Sequence, residues 1–376
     1  MPPLQENSLT LSFRPSSNED MSLDTYDFTK LSAYNICPTW GVLRYQMHKQ
    51  MPSTSRALPL EMGTALHEVF ALVRLETLHM HLAGDVSLRM ADAMRDFHGA
   101  RLFGEQRWSI INEAIPGEHP VDALKVKAVR VLDTSGYYDD DRDRRRTLSN
   151  MEDAAWAYID RWDFTKRVWM RDANDPHSDV GIEIPFDLVV TPTVAVAAST
   201  ATPLRENGYA MPLFRFTGKL DGLRWHGARL VVEDNKTTGR ITDAWCQGWE
   251  ISHQITGYCL AASVFIGDAV RNAEVIGLQV PLPRELYDGV QRVPLTRHQH
   301  HFDQWTKWAM HTVRGYERYR DQPMETPQYT HSCSRYFRPC SFIPFCDSDP
   351  QEQESIIEQM EDNEWSPLHH VGDTDA

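Results

Sequence analysis

The feature that most constrains this chain is a pair of strand-like segments, Leu213 to Trp225 and Ala228 to Lys236, joined across a short turn at His226-Gly227. Apolar runs bounded by turn residues read as an antiparallel hairpin. With a four-residue turn from His226 to Arg229, Trp225 faces Leu230 and Asp221 comes opposite Asp234. Opposed residues carry Cβ atoms about 5 Å apart on one face. Strand period 2 keeps Asp234 and Lys236 on that face and turns Glu233 away. A three-residue turn would instead set Glu233 opposite Asp221. Two facing carboxylates repel, and a hairpin keeps them cheaply only when a cation joins them. Oxygen ligands with open water positions suit Mg²⁺ or Mn²⁺. An isolated Asp-x-Lys would more often mark a surface hairpin. The preceding Gly-x-x-Asp and the flanking apolar runs favour the metal reading.

Charge restricts the partners. The 376 residues hold 38 Lys and Arg against 53 Asp and Glu, a net −15. That argues against a general polyanion binder. It leaves open an enzyme that loads metal onto its carboxylates and confines its basic groups to one groove. No stretch approaches the roughly 20 apolar residues of a membrane span, and the first residues lack a signal-peptide pattern. The expectation is a cytoplasmic protein with no membrane contact. Six cysteines at uneven spacing do not suggest a disulfide framework.

Along the chain, residues 1–25 read as a polar, flexible leader. Helical signal begins near Phe28. Leu66, Phe70 and Val73 give one apolar stripe on a long helix after Pro59. The stretch from about 85 to 170 reads as helical, with a self-compensating charged loop at 139–146. Strand character starts near Val180, and residues 191–205 read as an inserted loop or ragged hairpin. A helix is expected over about 243–265, a strand over 273–282 and a long helix over 297–319. Residues 351–376 carry eight acidic side chains and neither Lys nor Arg, which suggests a disordered tail.

Gly218-Lys219-Leu220-Asp221, then Asp234-Asn235-Lys236, then Gln254-Ile255-Thr256-Gly257-Tyr258 resemble the PD-(D/E)XK nuclease superfamily, especially its RecB-like branch. Gln254 and Tyr258 are four apart and share a helix face. Gly63-Thr64-Ala65-Leu66-His67 looks like the branch's early helix with a metal-binding His. Glu183 stands where the family often has an acid on its first core strand. The resemblance implies an α/β fold: a restriction-endonuclease-like core, a mixed sheet flanked by helices, with a helical insertion. It implies Asp221, Asp234, Lys236, Gln254, Tyr258 and Glu183 as catalytic residues, and His67, Asp221 and Asp234 as metal ligands.

Cys333, Cys340 and Cys346 crowd into 14 residues, and three thiols need a fourth to complete a Zn or iron–sulfur site. Cys37, in Leu31-Ser32-Ala33-Tyr34-Asn35-Ile36-Cys37-Pro38, is similar to the first cysteine of AddB-like and CRISPR-associated RecB-like nucleases. In those, one early and three late cysteines hold a [4Fe–4S] cluster. The late spacing here departs from theirs, so Zn²⁺ stays open. Cys246 and Cys259 are expected to be small core residues. His79, His81, His298, His300 and His301 are expected to be exposed helix residues.

The resulting division is a leader (1–25), an N-terminal helical segment with the first cluster cysteine (26–60), a helical region (61–180), a nuclease core (181–330), a cluster segment (331–350) and an acidic tail (351–376). The implied function is metal-dependent hydrolysis of DNA phosphodiesters, as an exonuclease on single strands or duplex ends. Recombination, repair or DNA processing, with protein partners in a complex, would be its setting. Arg240, Trp245 and Trp249 are candidates for charge and stacking contacts with DNA. The alternative is a non-catalytic DNA-binding or scaffold module on the same fold. Loss of Asp221, Asp234 or Lys236 would favour it, and all three are present.

Overall fold

The structure, a computed structural model, describes residues 9–52, 57–115, 118–141, 143–194, 205–206, 209–210, 213–282, 289–320, 322–335 and 338–364. Residues 1–8 of the expected leader, 195–204 of the expected loop and 365–376 of the expected tail lie outside these. The helices are α1 (Phe28–Ile36), α2 (Pro38–Gly41), α3 (Leu58–Asp85), α4 (Leu88–Phe103), α5 (Glu105–Ile111), α6 (Pro120–Thr134), α7 (Leu148–Asp160), α8 (Asp243–Gly248), α9 (His253–Ile266), α10 (Gln299–Arg318), α11 (Ile343–Cys346) and α12 (Pro350–Gln359). The strands are β1 (Leu9–Pro15), β2 (Thr25–Tyr26), β3 (Lys49–Gln50), β4 (Ile182–Val194), β5 (Arg205–Glu206), β6 (Tyr209–Ala210), β7 (Phe214–His226), β8 (Arg229–Thr238), β9 (Asn272–Gln279), β10 (Val290–Thr296), β11 (Ser334–Arg335), β12 (Arg338–Pro339) and β13 (Glu361–Asp362).

The chain divides into two compact units that interleave in sequence. One comprises 1–55, 185–219 and 299–376; the other comprises 56–184 and 220–298. Strands β4 and β7 each begin in one unit and end in the other, so backbone continuity links stretches far apart in sequence.

In the first unit, β1 pairs antiparallel with β4, Phe13 facing Val190, and β2 pairs parallel with β7. Residues 9–15 and 25 of the expected flexible leader are therefore held in strands. Leu9, Leu11 and Phe13 alternate with polar residues, enough for an edge strand, and the Phe13 ring meets Trp305 of α10. Asp27 caps α1 by accepting from the Lys30 amide. The start of the expected acidic tail is also ordered. Asp349 caps α12, Pro350 opens it, and Ile356, Ile357 and Met360 pack with Leu43, Phe342 and Phe345. Strand β13 then pairs with β3. Acidic composition hid a short amphipathic helix.

In the second unit, the strands run β7-β8-β9-β10. β7 and β8 are antiparallel, β8 and β9 parallel, β9 and β10 antiparallel. The sheet is mixed, and α8 and α9 form the crossover that a parallel neighbour requires. Gly227, at φ 59°, makes the tight turn between β7 and β8. Strand β10 was not anticipated, because Pro294 weakens its strand signal. Helices α3, α4, α6 and α7 pack into one apolar core around Leu66, Phe70, Leu75, Val131 and Ile159. Each such buried side chain contributes about 1.5–3 kcal/mol. The middle of α3 is buried nearly all round, from Val69 to Leu78.

Candidate metal centre

The hairpin register is the one expected from a four-residue turn. Trp225 faces Leu230, His226 faces Arg229 and Gly222 faces Glu233. The alternative that would have set Glu233 opposite Asp221 is excluded. Asp221 and Asp234 are both buried, at 6% and 1% exposure. An Asp221 carboxylate oxygen accepts from the Asn235 amide at 2.7 Å, so the acid is anchored to the neighbouring strand. Lys236 Nζ lies 2.8 Å from Asp234 Oδ1 and 2.7 Å from Oδ2.

His67 comes from α3, with Nδ1 3.5 Å from Asp221 Oδ2 and its ring against Phe70. Glu183 comes from the second residue of β4. Its backbone sits at φ 49°, a left-handed conformation that costs a glutamate on the order of 1–3 kcal/mol. Neighbouring backbone bonds hold that position. The Leu223 amide donates to the Gly181 carbonyl at 3.0 Å, and Gly181 donates to Trp169. A Cβ on Gly181 would fall 2.0 Å from the Leu223 oxygen, so only glycine permits the approach. The ligand atoms of His67, Glu183 and Asp221 lie within 4.8 Å of one another, the one such group found among the described residues.

Electrostatics agree with a cation site. Burial works against charging Asp221, but His67, Lys236 and Arg74 outweigh it and hold its carboxyl far below the usual range. Burial raises Asp234, Lys236 opposes, and the Asp221 charge adds to the rise, leaving it above the ordinary value. Burial opposes protonation of His67, yet the charges of Asp221 and Glu183 raise it. Acidic groups crowded to the point of repulsion, plus one imidazole, make a donor set that fits Mg²⁺ or Mn²⁺.

The opposite face of β8 carries groups that the sequence reading passed over. Glu233 is 1% exposed and receives Arg74 Nε at 3.1 Å and Arg224 Nε through its other oxygen. Arg224 continues to Glu274 at 2.9 Å, which also receives Arg292 at 2.6 Å. Asn235, with its carbonyl turned to the guanidinium, accepts from both Arg74 Nη atoms at 2.9 and 2.7 Å and donates to Tyr158 at 3.1 Å. Gly222 leaves room for this: a Cβ there would stand 2.4 Å from Arg74 Nε. Arg74 lies seven residues after His67, two turns along α3, which was the available signal.

The other expected residues fall as follows. Gln254 Nε2 donates to the Tyr258 hydroxyl at 3.0 Å on half-buried positions of α9, which packs on β8 and β9. The Trp249 ring centroid lies 5.8 Å from Lys236 Nζ. Trp245 meets Trp249 edge-on at 5.5 Å and covers Gly277. Arg240 is exposed just after β8. Of the other histidines, His79 pairs with Asp92 of α4 at 2.8 Å, a carboxylate partner the sequence had not suggested. Cys259 is fully buried and Cys246 half-buried.

Cys37, Cys333, Cys340 and Cys346 all fall in the first unit, each half-buried. The Cys340 amide donates to the Cys333 carbonyl at 2.7 Å, and Cys340 and Cys346 border the small core of Leu43, Phe342 and Phe345. Burial pushes the Cys346 thiol up to about 11, with contributions from the other three sulfurs. Cys340 is raised by burial, with Cys37 and Cys333 adding to it.

No helix among the described residues is long and apolar enough to cross a membrane. Comparison with curated proteins and with solved structures finds no match for this chain. A family model described as the PD-(D/E)XK nuclease superfamily matches residues 28–347, well over half of the chain and inclusive of the hairpin, the α3 histidine and all four grouped cysteines. On that match, the chain belongs to the PD-(D/E)XK nuclease superfamily.

Proposed function

We infer that the protein is a metal-dependent DNA nuclease of the RecB-like branch, acting as an exonuclease on single strands or duplex ends. The observation that carries this reading is the convergence of His67 from α3, Glu183 from β4 and Asp221 from β7 within 4.8 Å, beside the Asp234–Lys236 pair of β8. Asp221 and Asp234, with His67 and Glu183, would hold Mg²⁺ or Mn²⁺. Such an ion supplies Lewis-acid polarisation of the phosphodiester and a more acidic water.

The chain's own groups do the positioning. Lys236 Nζ, held by Asp234, orients the attacking water and balances charge on the phosphate. Gln254 and Tyr258, joined by their hydrogen bond, present two polar groups from one face of α9. Trp245 and Trp249 offer stacking surface and Arg240 a phosphate contact. The three late cysteines within 14 residues, with Cys37 in the same unit, support a [4Fe–4S] cluster, with Zn²⁺ the lesser candidate, fastening Cys37 to the late cysteines. Work at DNA ends in recombination, repair or processing, with protein partners, fits this chemistry.

The test is digestion of end-labelled single- and double-stranded DNA with Mn²⁺ or Mg²⁺, using protein purified with its thiols protected. Wild type should shorten the labelled strand and Asp234→Ala should not. Equal cutting by both proteins rejects the catalytic assignment. Metal-independent DNA binding without cutting would establish the scaffold alternative.

A further inference from the structure

We propose that Ile251 is an apolar wedge that enters the base stack of the substrate beside the scissile phosphate and unstacks the terminal step of a duplex end. The proposal rests on the nuclease reading above. Ile251 is 77% exposed, the most exposed large hydrophobic side chain among the described residues. A lone exposed apolar residue is ordinary; the way this one is held is not.

Arg297 is 1% exposed, and its guanidinium clasps the turn that carries Ile251. Nη1 donates to the Glu250 carbonyl at 2.7 Å; Nη2 donates to the Trp249 carbonyl at 2.8 Å and to the Ser252 carbonyl at 3.4 Å. A buried cation is therefore spent on backbone oxygens on both sides of one exposed isoleucine. Burying a charge is costly without such bonds, so the turn is held in shape at some expense. Ser252 caps α9 on one side of the tip. On the other side Trp249 is braced edge-on by Trp245, whose ring covers Gly277.

The tip is also in the right place. Trp249 lies beside Lys236, and the Ser252 amide donates to the Trp249 carbonyl at 3.2 Å, so Ile251 sits in the tight turn that follows that ring. Ile251 therefore stands two residues along the chain, within about 7 Å of backbone, from the residue whose ring lies at the lysine. Apolar side chains of this size are the ones that insert between base steps and unstack them. A rigid apolar point beside the reacting phosphate would separate the terminal base and feed one strand to the metal centre.

The test uses the full-length protein with Ca²⁺ in place of Mn²⁺ and a blunt duplex carrying 2-aminopurine at its terminal step. Wild type should raise the 2-aminopurine fluorescence, Ile251→Ala should lose most of the rise, and Ile251→Leu should restore it. In a second arm with Mn²⁺, the ratio of cutting rates on duplex ends to those on oligothymidine should fall about tenfold in Ile251→Ala, a fraction of the cost of unstacking one step. An equal fluorescence rise in wild type and Ile251→Ala, an unchanged ratio, or no rise in wild type overturns the wedge. If wild type cuts neither substrate, the nuclease reading fails instead, and the fluorescence arm still decides whether Ile251 unstacks the end.

Discussion

Replacing Arg74 with methionine should destabilise the protein by about 3 kcal/mol, although Arg74 lies outside the metal-ligand group. The guanidinium is 1% exposed and makes three bonds to β8: Nε to Glu233 at 3.1 Å, and both Nη atoms to the Asn235 carbonyl at 2.9 and 2.7 Å. Methionine keeps most of the volume, so the cavity contribution is small. What is lost is one partner of a buried ion pair, which costs roughly 3–5 kcal/mol when the other charge is stranded. Glu233 retains Arg224, which places the cost at the lower end of that range. In a cooperative unit of some 200 residues this corresponds to a fall of about 6–12 °C in Tm. The assay is urea denaturation in EDTA, with the m-value checked for constancy. In a Glu233→Gln background the same substitution should cost about 1–2 kcal/mol, the difference being the pair's coupling. A cost under about 1 kcal/mol in the wild-type background, or no coupling to Glu233, would refute the claim that Arg74 ties α3 to β8. Because His67 lies two turns before Arg74, Mn²⁺ affinity should fall with stability.

Three further outcomes follow from particular contacts. Gly181→Ala places a Cβ against the Leu223 carbonyl oxygen, 2.0 Å away; it should cost about 1–3 kcal/mol and weaken Mn²⁺ binding, read by calorimetry, because it shifts Glu183. His98 is 1% exposed and burial lowers it to about 4, against an unfolded value near 6.5. As pH falls below 6.5 the unfolded chain takes up a proton that the native His98 refuses until about 4, so stability should drop by up to about 3 kcal/mol across that window and level off below it; His98→Leu should remove that part of the slope in urea titrations. Protein purified without oxygen should carry a visible iron–sulfur absorption that Cys340→Ser abolishes, while a colourless wild type containing stoichiometric zinc would replace the cluster with a mononuclear site.

The hairpin was legible because period 2 and a glycine turn fix register locally, and register alone puts Asp221 and Asp234 on one face. His67 was singled out because Gly63 to His67 resembles the branch's early helix, and the structure sets its Nδ1 3.5 Å from Asp221 Oδ2. The rest depended on contacts between residues distant in sequence. Nothing near Glu183 announces a left-handed backbone; the Gly181–Leu223 bond imposes it across 42 residues. Arg74 reads as a lone basic residue in an apolar helix until Glu233 and Gly222 are brought to it. Strand β1 is short and helix α12 acidic, so composition concealed order that pairing with β4 and packing on Phe342 and Phe345 supply. Ile251 gave no signal, since exposure is a property of the folded turn.

The most direct measurement is the rate at which wild type and Lys236→Ala, each shown to be folded, shorten end-labelled DNA with Mn²⁺. An ammonium that stabilises charge at the phosphate should be worth on the order of 10²-fold or more in rate, and chelation should abolish cutting by wild type. Cutting by Lys236→Ala at the wild-type rate, or by wild type in excess EDTA, would contradict the account.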